Sequence, residues 1–285
     1  MEWRARAPGA DLTGRVLWVT VSQLTRAVLI MLACLPTLSP LSAQATDTRR
    51  EATPQRPSFT ADASVTAPGT LELELGGSAN RDSLGLPTTL KFTPNVPKGP
   101  FYKTEFSLSF ESLSSMLTDS RRAFQFGDRL IFAVRRALHR GERFSFALAP
   151  HATFFVRGEK GARLGATAIG VWSFGLNTVV ANLTYTGATS PSQSNSAHRA
   201  DIALGYSRTI GEGELSNRFA VFGEYQHEIP NSGTTTASLM QGVAFRARPD
   251  IVLDFAVQQS GVGSRSVEVH LLGGLTVNLG GFRQR

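Results

Sequence analysis

The chain of 285 residues has one cysteine, Cys34, and only four methionines. A single thiol excludes an internal disulfide framework and any C-x-x-C metal clip. None of the five histidines (His139, His151, His198, His227 and His270) stands at metal-ligand spacing, so no metal site is expected. No G-x-S-x-G elbow surrounds a serine, and no glycine loop is spaced to cradle a phosphate. No catalytic residue, no cofactor and no enzymatic activity are therefore assigned. The formal net charge is +7, but the arginines and lysines are scattered with acids between them. Without a basic cluster, a groove-reading helix or a zinc spacing, nucleic acid is not an expected partner. A helical period is also missing, as is any apolar run long enough for a membrane-spanning helix.

The longest apolar run follows Arg26, from Ala27 through Leu35, and ends in the small residues Ser42-Ala43-Gln44-Ala45. A basic residue, a short apolar core and an A-x-A-like end make a secretory signal peptide, with Pro36 and Pro40 breaking any longer helix. Residues 1–45 are assigned to it, with cleavage after Ala43 or Ala45. The stretch before Arg26 is long for such a signal, so translation is expected to start after Met1. Cys34 invites a lipoprotein reading, but Met31-Leu32-Ala33 fits that pattern poorly and the residues after Cys34 stay apolar. Residues 46–69 are polar and carry Pro54, Pro57 and Pro68, which predicts an extended periplasmic arm rather than a domain.

What is abundant is glycine, at 27 residues, and phenylalanine, at 18, in a pattern that alternates with period two from Thr70 onward. Leu71, Leu73 and Leu75 alternate with Glu72 and Glu74. Phe106, Leu108 and Phe110 alternate with Glu105, Ser107 and Ser109. Phe144, Phe146, Leu148, Ala152 and Phe154 oppose Ser145, His151 and Thr153, and Val267, Val269, Leu271, Leu275 and Val277 oppose Glu268 and His270. Each such segment has one apolar and one polar face. About twelve are present, near residues 70–79, 84–92, 102–111, 126–138, 143–157, 162–174, 177–186, 199–209, 219–228, 236–246, 251–258 and 266–279. Short turns at 140–142, 175–176 and 248–250 close even-to-odd pairs, and longer polar links at 113–125 and 188–198 follow odd strands. Tight inner turns and longer outer loops are what an up-and-down barrel shows. Tyr102, Phe126, Trp172, Phe174, Tyr185 and Tyr206 fall near strand ends, as interfacial girdles do.

The fold expected is all-β: a transmembrane antiparallel up-and-down barrel over residues 70–280, with a basic tail at 281–285. Lipid contact requires every backbone group to be paired, which closure provides and an open sandwich does not. Its place is the bacterial outer membrane, and its partners are outer-membrane lipid and the barrel-insertion machinery. Two positions strain this reading. Pro150 cannot donate to a ladder and should mark a bulge. Arg136 falls on the lipid face, close enough to the strand end to reach the head-group zone.

The polar faces give the candidate lumen lining: Glu72, Glu74, Glu105, Arg157, Arg163, Glu224, Gln226, Glu228, Arg246, Asp254, Glu268 and His270. Charges of both signs indicate either a screened pore or ion pairs that plug it, because unpaired burial is costly. The consecutive row Glu224, Gln226 and Glu228 reads as a stripe that orients a solute or as ordinary water-bathed lining. On the alternation alone, an arginine is expected to be tolerated at Glu74 and not at Leu73 or Phe146.

Pro57-Ser58-Phe59-Thr60-Ala61-Asp62, then Ala67-Pro68-Gly69-Thr70-Leu71-Glu72-Leu73-Glu74-Leu75-Gly76-Gly77, resembles the opening of the outer-membrane transporter family named for the meta-pathway of phenol degradation. Phe126-Gly127-Asp128 and Arg248-Pro249-Asp250 resemble a strand start and a late turn of that family. The resemblance implies passive uptake of small, often hydrophobic or aromatic, solutes, and carries no binding residues with it. The end of the chain, Gly280-Gly281-Phe282-Arg283-Gln284-Arg285, departs from the terminal aromatic residue that helps the insertion machinery recognise a last strand. Two other functions fit the same alternation: a barrel that only anchors or presents surface loops, and a barrel enzyme acting on lipid.

Overall fold

The computed structural model describes residues 51–55, 58–80, 83–118, 121–156, 161–189, 198–210, 218–231, 233–262 and 267–281. The signal segment, the start of the arm, Arg157 and the last four residues lie outside them. Thirteen strand segments are present: β1 Thr70–Ala79, β2 Ser83–Phe92, β3 Thr104–Thr118, β4 Arg121–Gln125, β5 Arg129–Arg140, β6 Phe144–Phe155 and β7 Ala162–Phe174. The second half holds β8 Asn177–Ala188, β9 His198–Ile210, β10 Phe219–Pro230, β11 Thr236–Arg248, β12 Ile251–Ser260 and β13 Glu268–Gly281. Every neighbour is antiparallel, and the sheet closes where β1 meets β13, from Thr70 opposite Gly281 to Ala79 opposite Leu271.

β3 pairs with β5 through Thr104–Phe110 and with β4 through Ser114–Thr118, so β4 and β5 share one position in the wall. The barrel therefore has twelve staves. The alternation predicts a polar loop over 113–125, whereas the chain there forms the β3–β4 hairpin. The difference follows from the bulge between Leu86 and Pro87, which shifts the register opposite 111–113 and lets pairing continue.

Alternation sorts the side chains as the period predicts. Leu253, Phe255, Val269 and Leu271 point out and are exposed, as are Phe144, Trp172, Tyr185 and Tyr206. Such an apolar exterior on a closed sheet is the solution a hydrocarbon solvent imposes, since no backbone edge remains unpaired.

Three local features differ from expectation. Pro150 sits outward in β6 without changing the register: Ala133 opposite His151 and Arg136 opposite Leu148 keep one offset, and the bulge lies at Ala137/His139. Proline has no amide to donate, and the ladder is interrupted there at Val134 and Arg135 while the offset is kept on both sides. Arg136 is buried, not reaching toward head groups, because residues 93–103 fold over it. Its Nη1 donates to the Pro100 carbonyl at 3.1 Å, and the Ala137 amide donates to the Lys103 carbonyl at 3.3 Å. That connection is also long for the end of the barrel that carries the tight turns at 141–143, 175–176 and 249–250.

Candidate functional site in the barrel interior

Residues 51–55 and 58–69 make no strand, yet Ala52, Thr60, Ala63, Val65 and Thr66 are buried. The chain crosses the inside of the barrel, and its backbone donors are met by inward carboxylates of the wall. On β1, Glu72 accepts from the Thr53 amide at 2.7 Å, and Glu74 accepts from the Gln55 amide at 2.7 Å. On β10, Glu224 accepts from the Ser58 hydroxyl at 2.6 Å and from the amides of Phe59 at 2.5 Å and Thr60 at 2.9 Å. On β3, Glu105 accepts from the Thr66 amide at 2.8 Å. The Asn182 side-chain amide on β8 reaches both backbone groups of Ala61 in the orientation that satisfies each. The bonds to the four glutamates are charge-assisted, the strong end of the hydrogen-bond range.

Two buried cations stand among three of these acids. Lys91 on β2 lies 2.9 Å from Glu72 and 2.5 Å from Glu74, and donates to the Thr53 carbonyl at 2.8 Å. All three of its protons are thus used. Arg135 on β5 lies 3.6 Å from Glu105, donates to the Ser64 carbonyl at 3.1 Å, and bonds the Gln55 side chain. On the adjoining flank, next to β5, the arm meets apolar groups: Ala63 packs with Ala147 and Ala149 of β6 and with Ile169 and Val171 of β7.

The wall also carries a notch for the arm. A Cβ at Gly205 of β9 would lie 2.9 Å from Thr60 Oγ1 and 3.2 Å from Thr60 Cγ2, so a side chain there would collide with the segment. At the tight-turn rim the Ala52 amide donates to the Pro249 carbonyl at 2.9 Å, and Arg246 donates to the Ala52 carbonyl at 3.3 Å.

The other candidate residues are dispersed. Gln226 and Glu228 share the inward parity of Glu224, but Glu228 pairs with Arg199 at 3.5 Å instead of touching the arm. The Asp254 carboxylate lies in the space that a Gly274 side chain would fill. Glu268 is exposed and 3.5 Å from His270. Arg163 sits 5.4 Å from the centre of the Phe155 ring. His151 faces Thr186 at 3.4 Å, on the far side of the barrel from His270. Lys91, Arg135 and Asn182 are not among the residues the alternation picks out, and the sequence leaves open whether the arm enters the lumen. Lys91 had a signal, standing between outward Leu90 and Phe92; Arg135 is masked by Arg136 beside it.

Beyond the arm, toward the longer loops, remains a cavity of about 350 Å³. Gln55, Ser58 and Phe59 floor it, and Ser107, Ser109 and Gln258 are among its walls. Glu74, Lys91 and Arg135 add charge to this lining, and Met240 and Leu272 add apolar surface.

No protein-family model matches the chain, and no curated protein matches it. Solved structures do share its architecture. An outer membrane channel from Pseudomonas putida F1 is 10% identical, with a TM-score of 0.56 over 83% of this chain and all of that one. The NanC porin is 11% identical, with a TM-score of 0.52 over 73% of this chain and 100% of its own, and the KdgM porin is 7% identical, with a TM-score of 0.51 over 73% and 99%. The fold is accordingly that of a porin-like β-barrel of the bacterial outer membrane.

Proposed function

We propose that the protein is a non-enzymatic channel for passive passage of small solutes across the outer membrane. The observation that carries this reading is the interior cavity of about 350 Å³, lined by polar, charged and apolar side chains, within a closed barrel. Its size is at the lower end for small-molecule sites. The mixed lining suits a compact solute with an apolar body and one or two oxygen atoms. That agrees with the hydrophobic or aromatic compounds implied by the resemblance to the transporter family of the meta-pathway of phenol degradation. Glu72, Glu74, Glu105 and Glu224 then act chiefly on the arm, and Gln258, Ser107 and Ser109 on the solute.

Liposomes carrying the purified protein test this reading. Small neutral phenols and polyols should cross faster than through protein-free vesicles, with a steep size dependence. A second reading, a non-transporting anchor, is favoured by the arm in the lumen. It predicts no permeability above background for any solute.

A further inference from the structure

We propose that the arm is a gate: it closes the lumen at rest and leaves its seats on the wall to open a passage. The proposal rests on the channel reading above and adds the element that controls it. Three observations support a removable segment over a permanent filling. First, the arm is held mainly by polar contacts that water can replace. Its apolar anchorage is made of small side chains: Ala61 and Ala63 lie against the β6–β7 wall, and Ala52 and Val65 are buried. Second, much of the wall keeps its ion pairs without it. Lys91 stays shared between Glu72 and Glu74, and Arg135 stays beside Glu105, so each of these carboxylates still has a cation within 3.6 Å once the arm has left. Third, Glu224 differs, because each of its described hydrogen bonds goes to Ser58, Phe59 or Thr60. That makes Glu224 the latch, and the Gly205 notch beside it is shaped to Thr60.

Carboxylates that face a water-filled lumen once the arm has left would be rehydrated, which lowers the cost of opening. The arm also forms the floor of the cavity, so a solute seated on Gln55 and Phe59 presses on the element that must move. Binding and opening are linked to the extent that the solute favours the open arrangement.

A disulfide lock tests the gate in the full chain. In a Cys34→Ser background, Thr60→Cys with Gly205→Cys places two thiols where the arm meets β9, a Cβ at Gly205 lying 2.9 Å from Thr60 Oγ1 and 3.2 Å from its Cγ2. Vesicle permeability is compared in the oxidised and reduced states of the same preparation. The gate predicts at least a tenfold loss on oxidation, recovered on reduction, and a several-fold gain for the separate variant Glu224→Gln. Equal, measurable permeability in both states overturns the gate and leaves the channel reading standing. Background permeability in the reduced pair, in Glu224→Gln and in the unmodified protein alike overturns the channel reading and the gate with it.

Discussion

The inner wall of the barrel has two flanks that hold the same segment by different means. Along β1, β2, β3 and β5, Glu72, Glu74 and Glu105 are nearly inaccessible and meet Lys91, Arg135 and the arm backbone. Along β6 and β7, Ala147, Ala149, Ile169 and Val171 face inward with no charge among them. The charged flank fixes position, because a carboxylate accepts an amide at one place and in one direction. The apolar flank is tolerant of sliding, since contact there depends on area alone. An extended, proline-bearing segment without its own hydrogen-bond ladder needs both: fixed acceptors for its amides and a surface that does not compete for them.

The comparison is broken most severely on the charged flank. Lys91→Met leaves Glu72 and Glu74 buried together without their shared cation. Removing one partner of such a group typically costs about 3–5 kcal/mol. Unfolding in detergent micelles should show that loss, and adding Glu72→Gln and Glu74→Gln should recover part of it. Next comes the outer face of β1, where Leu73→Arg sets a charge against lipid at a cost of about 2–4 kcal/mol near mid-bilayer. Folded yield after refolding into vesicles is the readout. On the apolar flank, Ile169→Ala should cost about 2 kcal/mol, the lower end for a buried isoleucine, because the arm can settle toward the gap. Its unfolding midpoint should fall less than that of Lys91→Met. The smallest effect belongs to Arg199, whose side chain is 39% exposed beside Asp201 and Glu228. Replacing it with alanine should change stability by no more than about 1 kcal/mol, since exposed pairs contribute little.

The alternation in the sequence made the outer surface legible. Leu71, Leu73, Phe144, Phe146, Leu253 and Phe255 repeat at period two, and lipid leaves little choice at such positions. Inward parity was equally readable for Glu72, Glu74, Glu105 and Glu224. The partners of those residues were not, because periodicity reports which face a residue takes and not what crosses the lumen opposite it. Glu74 shows the cost of that gap. Parity alone allows an arginine there, but Lys91 at 2.5 Å makes it a site for repulsion between two buried cations. The β3–β4 hairpin was hidden for another reason: a bulge shifts the register there and breaks the simple count. The arm itself reads as a loop because its amides donate to wall side chains 19 to 165 positions away in sequence, as Thr53 to Glu72 and Phe59 to Glu224 illustrate.

Hydrogen exchange of the arm, measured by mass spectrometry on the protein in lipid nanodiscs, tests most directly whether the wall carboxylates hold this segment inside the lumen. The amides of Thr53, Gln55, Phe59, Thr60 and Thr66 each donate to a glutamate. Peptides covering residues 51–69 should therefore exchange at least a hundredfold more slowly than a free chain, and Glu224→Gln should speed the part around Thr60 first. Exchange of the whole segment at the free-chain rate in the unmodified protein would contradict the account, placing the arm outside the barrel.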